Sequence, residues 1–426
     1  MNDLALALQA LPVDSPIDPV AAWASAPDAQ LVDAVASALE TPRASLQPSS
    51  FVLHAPLELL ARAALLPFVS LEARAGARHR IAQIAARYAR EGEPAPEAPA
   101  TPGAGQASVA LALALEQGQP EAAVAALDGV LAERGALEAR RLVFDLTLDR
   151  LGAAAHTPIL LAELPRVVDR VHHVGRLLRA PLRTLASAPA ARLSWHLALD
   201  HEPSLGEDQA CALLRQRLAS PARATAEASS IASTMQAVER SGQARALLGD
   251  LVASLSPRAA ERELLRLAAW SMLQDSADEA PYGWTHCLTL PLGVLGNVDV
   301  SARPRHCVAV AATYVLGMRA TRGAARLDPA RVPPATAIRS LAGAAPPVAA
   351  AVAWHTPLVE RSALVTTLAS RAAVHHDAHV AKYTLACLGA TERDPAAAPL
   401  YLSAAAYLQA WWDARDRGAS AEAAVT

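Results

Sequence analysis

Long runs of Ala, Leu, Arg and Glu, in which apolar residues return every three or four positions, dominate this chain of 426 residues. These residue types have high helix propensity, and their spacing places the apolar side chains on one face of a helix. No segment shows the strict apolar and polar alternation of a half-buried strand, and only 4% of the residues are aromatic. The sequence therefore predicts an all-α fold, built as one large helical-bundle domain.

Three segments organise the predicted domain. Residues 1–48, where prolines interrupt short apolar runs, are expected to form an N-terminal helical extension packed on the core. Residues 49–426 are expected to form the main all-α domain. Within it, 91–105 reads EGEPAPEAPATPGAG, a composition typical of a flexible loop or linker. Further along, the apolar pattern predicts helices over 221–238, 240–254, 335–353 and 358–388.

The distribution of charge argues against a nucleic-acid partner. The chain has 38 basic and 41 acidic residues, a net charge of −3, and no block of like charge. Because phosphate binding needs a concentrated basic patch, we expect no nucleic-acid surface. The four cysteines lie far apart and form no CxxC pair, so neither a disulfide framework nor a zinc knuckle is predicted.

The apolar runs give no indication of a membrane span. The longest, Leu341–Trp354, is short and contains Pro346 and Pro347. The first residues, Met1 to Leu6, lack the basic region of a secretory signal peptide. We therefore expect a cytoplasmic protein with no membrane partner.

Lys382 is the only lysine in the sequence, so the other 37 of the 38 basic residues are arginine. Arginine keeps its charge in any protein environment, whereas a buried lysine can lose its proton and become nucleophilic. His375, His379 and Lys382 recur at helical spacing, which predicts two imidazoles and this amine on one face of the helix 358–388. The alternative is that a coding bias toward arginine left one lysine by chance.

Several of the 13 histidines lie in apolar surroundings. Helix bundles build metal sites from single residues that project inward from different helices, so wide sequence gaps between ligands are expected there. This interpretation predicts a metal site between helices, and the alternative for each histidine is an ordinary core or surface residue. The histidines in question are His54, His156, His286, His355 and His379.

Four segments together resemble the questin oxidase-like family, in the same order and at similar spacing. They are 51–56 (FVLHAP), 156–159 (HTPI), 284–291 (WTHCLTLP) and 377–382 (DAHVAK). Members of that family are non-haem iron oxygenases that act on anthraquinone-type polyketides. The resemblance extends from about residue 48 to near the end of the chain, which makes 49–426 the predicted catalytic domain.

The resemblance implies one iron site. By matching motif, its Fe(II) would be held by four histidines and by a lysine that CO2 has carboxylated to a carbamate. A carbamate requires a neutral amine, which lysine can supply and arginine cannot. His156 is followed by Ile-Leu-Leu-Ala-Glu instead of the family's usual continuation, so His173 and His196 stay open as the second ligand. The implied ligands are His54, His156, His286, His379 and Lys382.

The predicted function is an Fe(II)-dependent oxygenase that uses O2 on a polycyclic aromatic ketone or quinone. It would insert one or two oxygen atoms or open a ring in a Baeyer-Villiger-like reaction, and NADPH stays open as a reductant. His355, His376 and Tyr383 are the candidates for proton transfer. The alternatives are a metal-dependent hydrolase and a non-catalytic helical scaffold.

Overall fold

The computed structural model describes residues 3–13, 17, 22–40, 43–44, 51–94, 103, 105–150, 156–167, 177–187, 193–199, 202–228 and 230–423. Across these residues nearly all regular structure is helical, which confirms the predicted all-α fold. The strands described are one short antiparallel pair, β1 (Arg43–Ala44) and β2 (Glu93–Pro94). Most of the predicted linker 91–105 lies outside the described residues.

The chain forms two compact units. The first comprises Met1–Arg192 with Gly296–Arg303, and the second comprises Leu193–Leu295 with Pro304–Thr426. The predicted domain boundary at residue 48 stays a prediction.

The first unit contains nine described helices. They are α1 (Asp3–Ala10), α2 (Ala22–Ser25), α3 (Asp28–Ala38), α4 (Phe51–Leu65), α5 (Leu71–Tyr88), α6 (Ala107–Glu116), α7 (Pro120–Thr147), α8 (His156–Val167) and α9 (Arg179–Ser187). Residue choice explains several of their starts, because Pro120 occupies the first turn of α7 and the Ser70 hydroxyl accepts the Ala73 amide at the start of α5.

Helices α4, α5 and α8 form the part of this unit that carries two predicted ligands. Helix α4 is buried along nearly its whole length and contacts both α5 and α8. Helices α1 and α3, from the predicted N-terminal extension, pack on α5, where Asp28 pairs with Arg74 and Arg78. This packing holds His54 on α4 near His156 at the start of α8.

The second unit contains ten described α-helices. They are α10 (Glu207–Ala219), α11 (Ile231–Ser241), α12 (Gln243–Leu248), α13 (Pro257–Gln274), α14 (Thr285–Leu295), α15 (Pro304–Arg322), α16 (Pro346–Trp354), α17 (Arg361–Val374), α18 (Ala378–Arg393) and α19 (Ala398–Ala423). A π-helix, Ala280–Trp284, leads directly into α14. Helices α13, α14, α15, α18 and α19 contact one another in the core.

A buried ion pair joins two elements of this core. The Arg319 guanidinium on α15 binds the Asp275 carboxylate at the end of α13, and both side chains are almost fully buried. Arg319 also donates to the carbonyl oxygens of Ala219 and Ala325, at 2.9 and 2.6 Å. A buried charge is tolerated where it is paired and hydrogen-bonded in this way.

The prediction of one helix over 358–388 is wrong, because the structure has two helices there. Helix α17 ends at Val374 and α18 begins at Ala378. The physical reason is Asp377, whose carboxylate accepts the His379 backbone N–H at 2.7 Å and thereby starts a new helix. His375 therefore lies in the connection before α18, and only His379 and Lys382 share a helix.

Other predicted helices have shifted bounds for similar local reasons. The predicted 335–353 helix begins only at Pro346, after Gly343 with its φ of +70°. The predicted 221–238 helix begins at Ile231, where the Ser230 hydroxyl accepts the Ser233 amide. The predicted 240–254 helix is α12 followed by a short 3-10 turn, Val252–Ser254.

One described helical stretch, Phe51–Phe68, is long and apolar enough to cross a membrane by length and composition. In this fold 78% of that stretch is buried, as expected for a core helix.

Candidate metal centre

His286 lies one turn after Tyr282, at the junction of the π-helix and α14. Its Nδ1–H donates to the Tyr282 carbonyl oxygen, four residues earlier. A carbonyl oxygen only accepts, so the neutral imidazole carries its proton on Nδ1 and its lone pair on Nε2. π-Helical turns are uncommon and often occur at functional sites.

His379 has the same tautomer for a different reason. Its Nδ1–H donates to the Asp377 carboxylate at 2.9 Å, so the lone pair of the neutral ring is again on Nε2. Burial raises the pKa of the Asp377 carboxyl. The hydrogen bonds from His379, the positive charge that His379 carries when it is protonated, and the charge of Lys382 outweigh that effect and lower the pKa to about 2. Asp377 is therefore ionised at neutral pH.

These two imidazoles lie side by side in the second unit. The ring centroids of His286 and His379 are 5.8 Å apart, with the planes at 73°. The Tyr282 ring stands edge-on to His379, with centroids 4.9 Å apart and planes at 90°. Lys382 follows His379 by three residues on α18, and its side chain is buried, with 8% of its surface exposed.

This arrangement fits a metal ion. Histidines that bind metals usually donate the other ring N–H to a carboxylate or a backbone carbonyl, which fixes the tautomer and raises the basicity of the ligating nitrogen. His379 donates to a carboxylate and His286 to a carbonyl. Two of the five predicted ligands, His286 and His379, are therefore adjacent in the second unit, and Lys382 follows on the helix that carries His379.

The other two predicted ligands meet in the first unit. His54 on α4 and His156 on α8 are edge-on, with ring centroids 4.7 Å apart and planes at 72°. Both are half-buried. The structure thus places the four predicted ligand histidines in two pairs, one in each unit.

Of the two alternative second ligands, His173 lies outside the described residues and His196 belongs to the second unit. The Thr313 hydroxyl donates to the Ala309 carbonyl at 2.7 Å, so its oxygen accepts from His196 Nε2–H at 3.2 Å. The His196 ring is buried and lies against Trp195 and His306. Within the described residues, His156 is the histidine that contacts His54.

The three predicted proton-transfer residues have different surroundings. His355, at the end of α16, is exposed, and its Nε2 lies 2.9 Å from the Pro333 carbonyl. Tyr383 is fully buried; burial, and then the nearby thiols of Cys387 and Cys287, raise its pKa well above the ordinary value. A phenol in that environment stays protonated at neutral pH. The roles of all three residues stay predictions.

The third of them, His376, belongs to a surface cluster. It stacks on His375, with ring centroids 4.4 Å apart, and both imidazoles lie close to Asp416, at 3.6 and 3.5 Å. Possible ligand atoms of the three residues lie within 4.8 Å of one another.

The hydrogen bonds of His375 argue against a metal in this cluster. Its Nδ1 accepts the Asp377 backbone N–H at 3.0 Å, so a neutral ring carries its proton on Nε2, the nitrogen that faces Asp416. Burial, and then the charge of His376, lower the pKa of His375, which favours that neutral ring. The neutral His375 therefore directs an Nε2–H group toward Asp416 and offers no lone pair there for a metal ion.

Sequence reasoning missed Asp377 and Tyr282 as parts of the site. An Asp two residues before a histidine at a helix start is a capping pattern, which would have indicated the first. The Tyr282 carbonyl is a backbone atom at the junction of a π-helix with α14, and apolar periodicity does not indicate such a junction. No known protein family, curated protein or solved structure matches this chain.

Proposed function

We propose that this chain is a non-haem iron oxygenase that uses O2 to oxygenate, or to cleave a ring of, a polycyclic aromatic ketone or quinone. The observation that carries the proposal is the pair of Nδ1–H hydrogen bonds on His286 and His379, which leaves the lone pair of each ring on Nε2. The resemblance of the four motifs supports the choice of iron and of the substrate class.

In this proposal His286 and His379 bind the iron through Nε2, and Lys382 binds it through a carbamate oxygen. His54 and His156 belong to the first unit, and as ligands they rest on the resemblance alone. Iron(II), when bound, would supply the capacity to bind and activate O2. Imidazole nitrogens and carbamate oxygens are donor types that suit iron.

Asp377 and Lys382 have separate tasks in the proposed site. Asp377 keeps the proton of His379 on Nδ1 and, being ionised, strengthens Nε2 as a ligand. Lys382 must first lose a proton. Its neutral nitrogen then adds to the carbon of CO2, which forms an N–C bond and releases a second proton. Burial of Lys382 favours the neutral amine that this reaction needs.

The first test is metal binding. Purified protein would be reconstituted anaerobically with Fe(II), with bicarbonate present, and analysed for bound iron. We expect about one iron per chain in the wild type. Removing one imidazole in His379→Ala or His286→Ala should weaken metal binding by at least the 10- to 100-fold typical of a lost supporting partner. His79→Gln is the matched control, because His79 is buried against Trp23 and belongs to neither predicted group.

The second test addresses the lysine. Lys382→Arg keeps a positive charge but cannot be carboxylated, so we expect loss of both iron and oxygenase activity. Intact-protein mass spectrometry and carbon NMR with isotopically labelled bicarbonate should show one added CO2 on the wild type and none on the variant. A fully active Lys382→Arg protein would refute the carbamate.

The alternatives predict different results from the same preparations. A hydrolase would bind a second metal ion and act without O2, whereas a scaffold would bind no iron in the wild type. Oxygen consumption measured with a quinone substrate, with and without NADPH, also decides whether a nicotinamide reductant is used.

A further inference from the structure

Tyr282 differs from every other tyrosine of the chain in its exposure. The sequence has six tyrosines, and all six are among the described residues. Tyr282 has 50% of its surface exposed, whereas the other five are buried. A half-exposed aromatic ring next to a predicted metal ligand is a candidate for contact with an aromatic molecule.

The position of Tyr282 is fixed by its neighbours. Trp284, two residues later, is fully buried, and its indole N–H donates to the Ser276 carbonyl at 2.9 Å. Gly283 lies so close to the Arg322–Glu279 ion pair that a Cβ atom would come within 2.8 Å of both side chains. These contacts hold the buried residues of the π-helix, so the backbone position of Tyr282 does not depend on its own exposed side chain.

The chemistry of the phenol suits a carbonyl ligand. The phenol carries an O–H group, which can donate a hydrogen bond. An aromatic ketone or quinone offers the two complementary features, a flat ring system and a carbonyl oxygen that accepts.

We propose that Tyr282 is a substrate-binding residue, whose ring contacts the ring system of an aromatic ketone or quinone and whose hydroxyl donates to its carbonyl oxygen. The assignment rests on the proposed function for the substrate class and for the role of His379. The competing role is structural, in which the Tyr282 ring only covers the His379 imidazole.

Two ligands and two substitutions separate these roles. Anthraquinone sulfonate has carbonyl oxygens, and anthracene sulfonate has the same fused rings without them. Tyr282→Phe removes only the hydroxyl, and Tyr282→Ala removes the ring. Both variants keep the backbone carbonyl that binds His286. Leu358→Ala is the control, because Leu358 is an exposed apolar residue of the same unit.

Dissociation constants would be measured by fluorescence titration, and Co(II) affinity by absorption spectroscopy of the same proteins. Tyr282→Phe should weaken anthraquinone sulfonate binding by about 2- to 10-fold and leave anthracene sulfonate binding unchanged, as expected for one neutral hydrogen bond. Tyr282→Ala should weaken both ligands by about 10-fold. Co(II) affinity should be the same in all variants.

Unchanged affinity of both ligands in Tyr282→Ala would overturn the assignment. A loss of Co(II) affinity in that variant without a change in ligand affinity would overturn it in favour of the structural role. The outcome for the proposed function is separate. A wild-type protein that binds no metal refutes the oxygenase, even where the Tyr282 variants discriminate between the two ligands.

Discussion

Asp377 starts α18 and also orients a predicted ligand, so its replacement tests both functions at once. Its carboxylate accepts the His379 backbone N–H at 2.7 Å and the ring Nδ1–H at 2.9 Å. Asp377→Ala removes both acceptors. Asp377→Ser keeps a good helix cap but has too short a side chain to offer the imidazole the same carboxylate. A comparison of the two variants therefore separates helix stability from the orientation of His379.

The magnitude follows from the cap and from the charge. An N-cap contributes typically about 1 kcal/mol. The shift of the Asp377 pKa from 3.8 to about 2 corresponds to about 2 kcal/mol of stability in the ionised form. Because the same hydrogen bonds contribute to both figures, we expect Asp377→Ala to lower the free energy of unfolding by about 2 to 3 kcal/mol at neutral pH. Asp377→Ser should lower it less.

The direction of the pH effect is fixed by the lowered pKa. The folded protein holds the carboxylate ionised more strongly than the unfolded chain does. The contribution is therefore complete above about pH 4, and it is lost as the pH falls toward 2, with roughly half gone at pH 3. The stability difference between the wild type and Asp377→Asn should shrink over that range.

Urea unfolding followed by tryptophan fluorescence reports on the second unit, which contains Asp377. Six of the seven tryptophans lie in that unit, and Trp23 lies in the first. Co(II) affinity, measured on the same proteins, should fall by about 10- to 100-fold in both Asp377→Ala and Asp377→Ser. An Asp377→Ala protein with wild-type stability and wild-type Co(II) affinity would refute the roles assigned to this carboxylate.

Three further predictions concern the core of the second unit and the cysteines. Gly317→Ala on α15 would place a Cβ atom 2.6 Å from the flexible end of Met235 and 3.1 Å from the Cγ2 methyl groups of Thr234 and Val238. Because β-branched side chains have little freedom to move, this variant should lower the free energy of unfolding by about 1 to 3 kcal/mol. The exposed Gly418→Ala on α19, with open space around it, should raise the free energy of unfolding by about 0.5 to 1 kcal/mol, and urea titrations measure both effects. Asp275→Ala leaves the Arg319 charge buried without its carboxylate and should cost about 3 to 5 kcal/mol, and the double variant with Arg319→Met should recover part of this loss. The four cysteine thiols are buried, and burial raises the pKa of those at 211, 287 and 387, so Ellman's reagent should react with all four only after unfolding; rapid reaction of the native protein would contradict the fold.

Sequence alone was sufficient for the helical class, whereas the predicted helix bounds were less accurate. In the structure, serine at the cap position or proline in the first turn marks the beginnings of α5, α7 and α13, because these residues act through local backbone hydrogen bonds. The break at 375–377 was not predicted, because apolar spacing continues across it while the Asp377 carboxylate competes for the helix backbone.

The candidate site was predicted only in part, for a related reason. Residue types and motif order indicated His286, His379 and Lys382, since the residue type alone determines whether a side chain offers an imidazole or an amine. The orientation of each ring depends on a partner atom, which is the Asp377 carboxylate for one and the Tyr282 carbonyl for the other. Such partners follow from backbone geometry, and spacing in the sequence does not specify it.

The two imidazoles of the second unit differ in how readily their orientation can be altered. The hydrogen bond of His379 is accepted by a side chain, so a single substitution at 377 can change the tautomer of His379 and the basicity of its Nε2. The bond to His286 comes from the main chain, and no substitution at 282 deletes it. Substitution can therefore change the orientation of His379, whereas the orientation of His286 is fixed by a backbone atom.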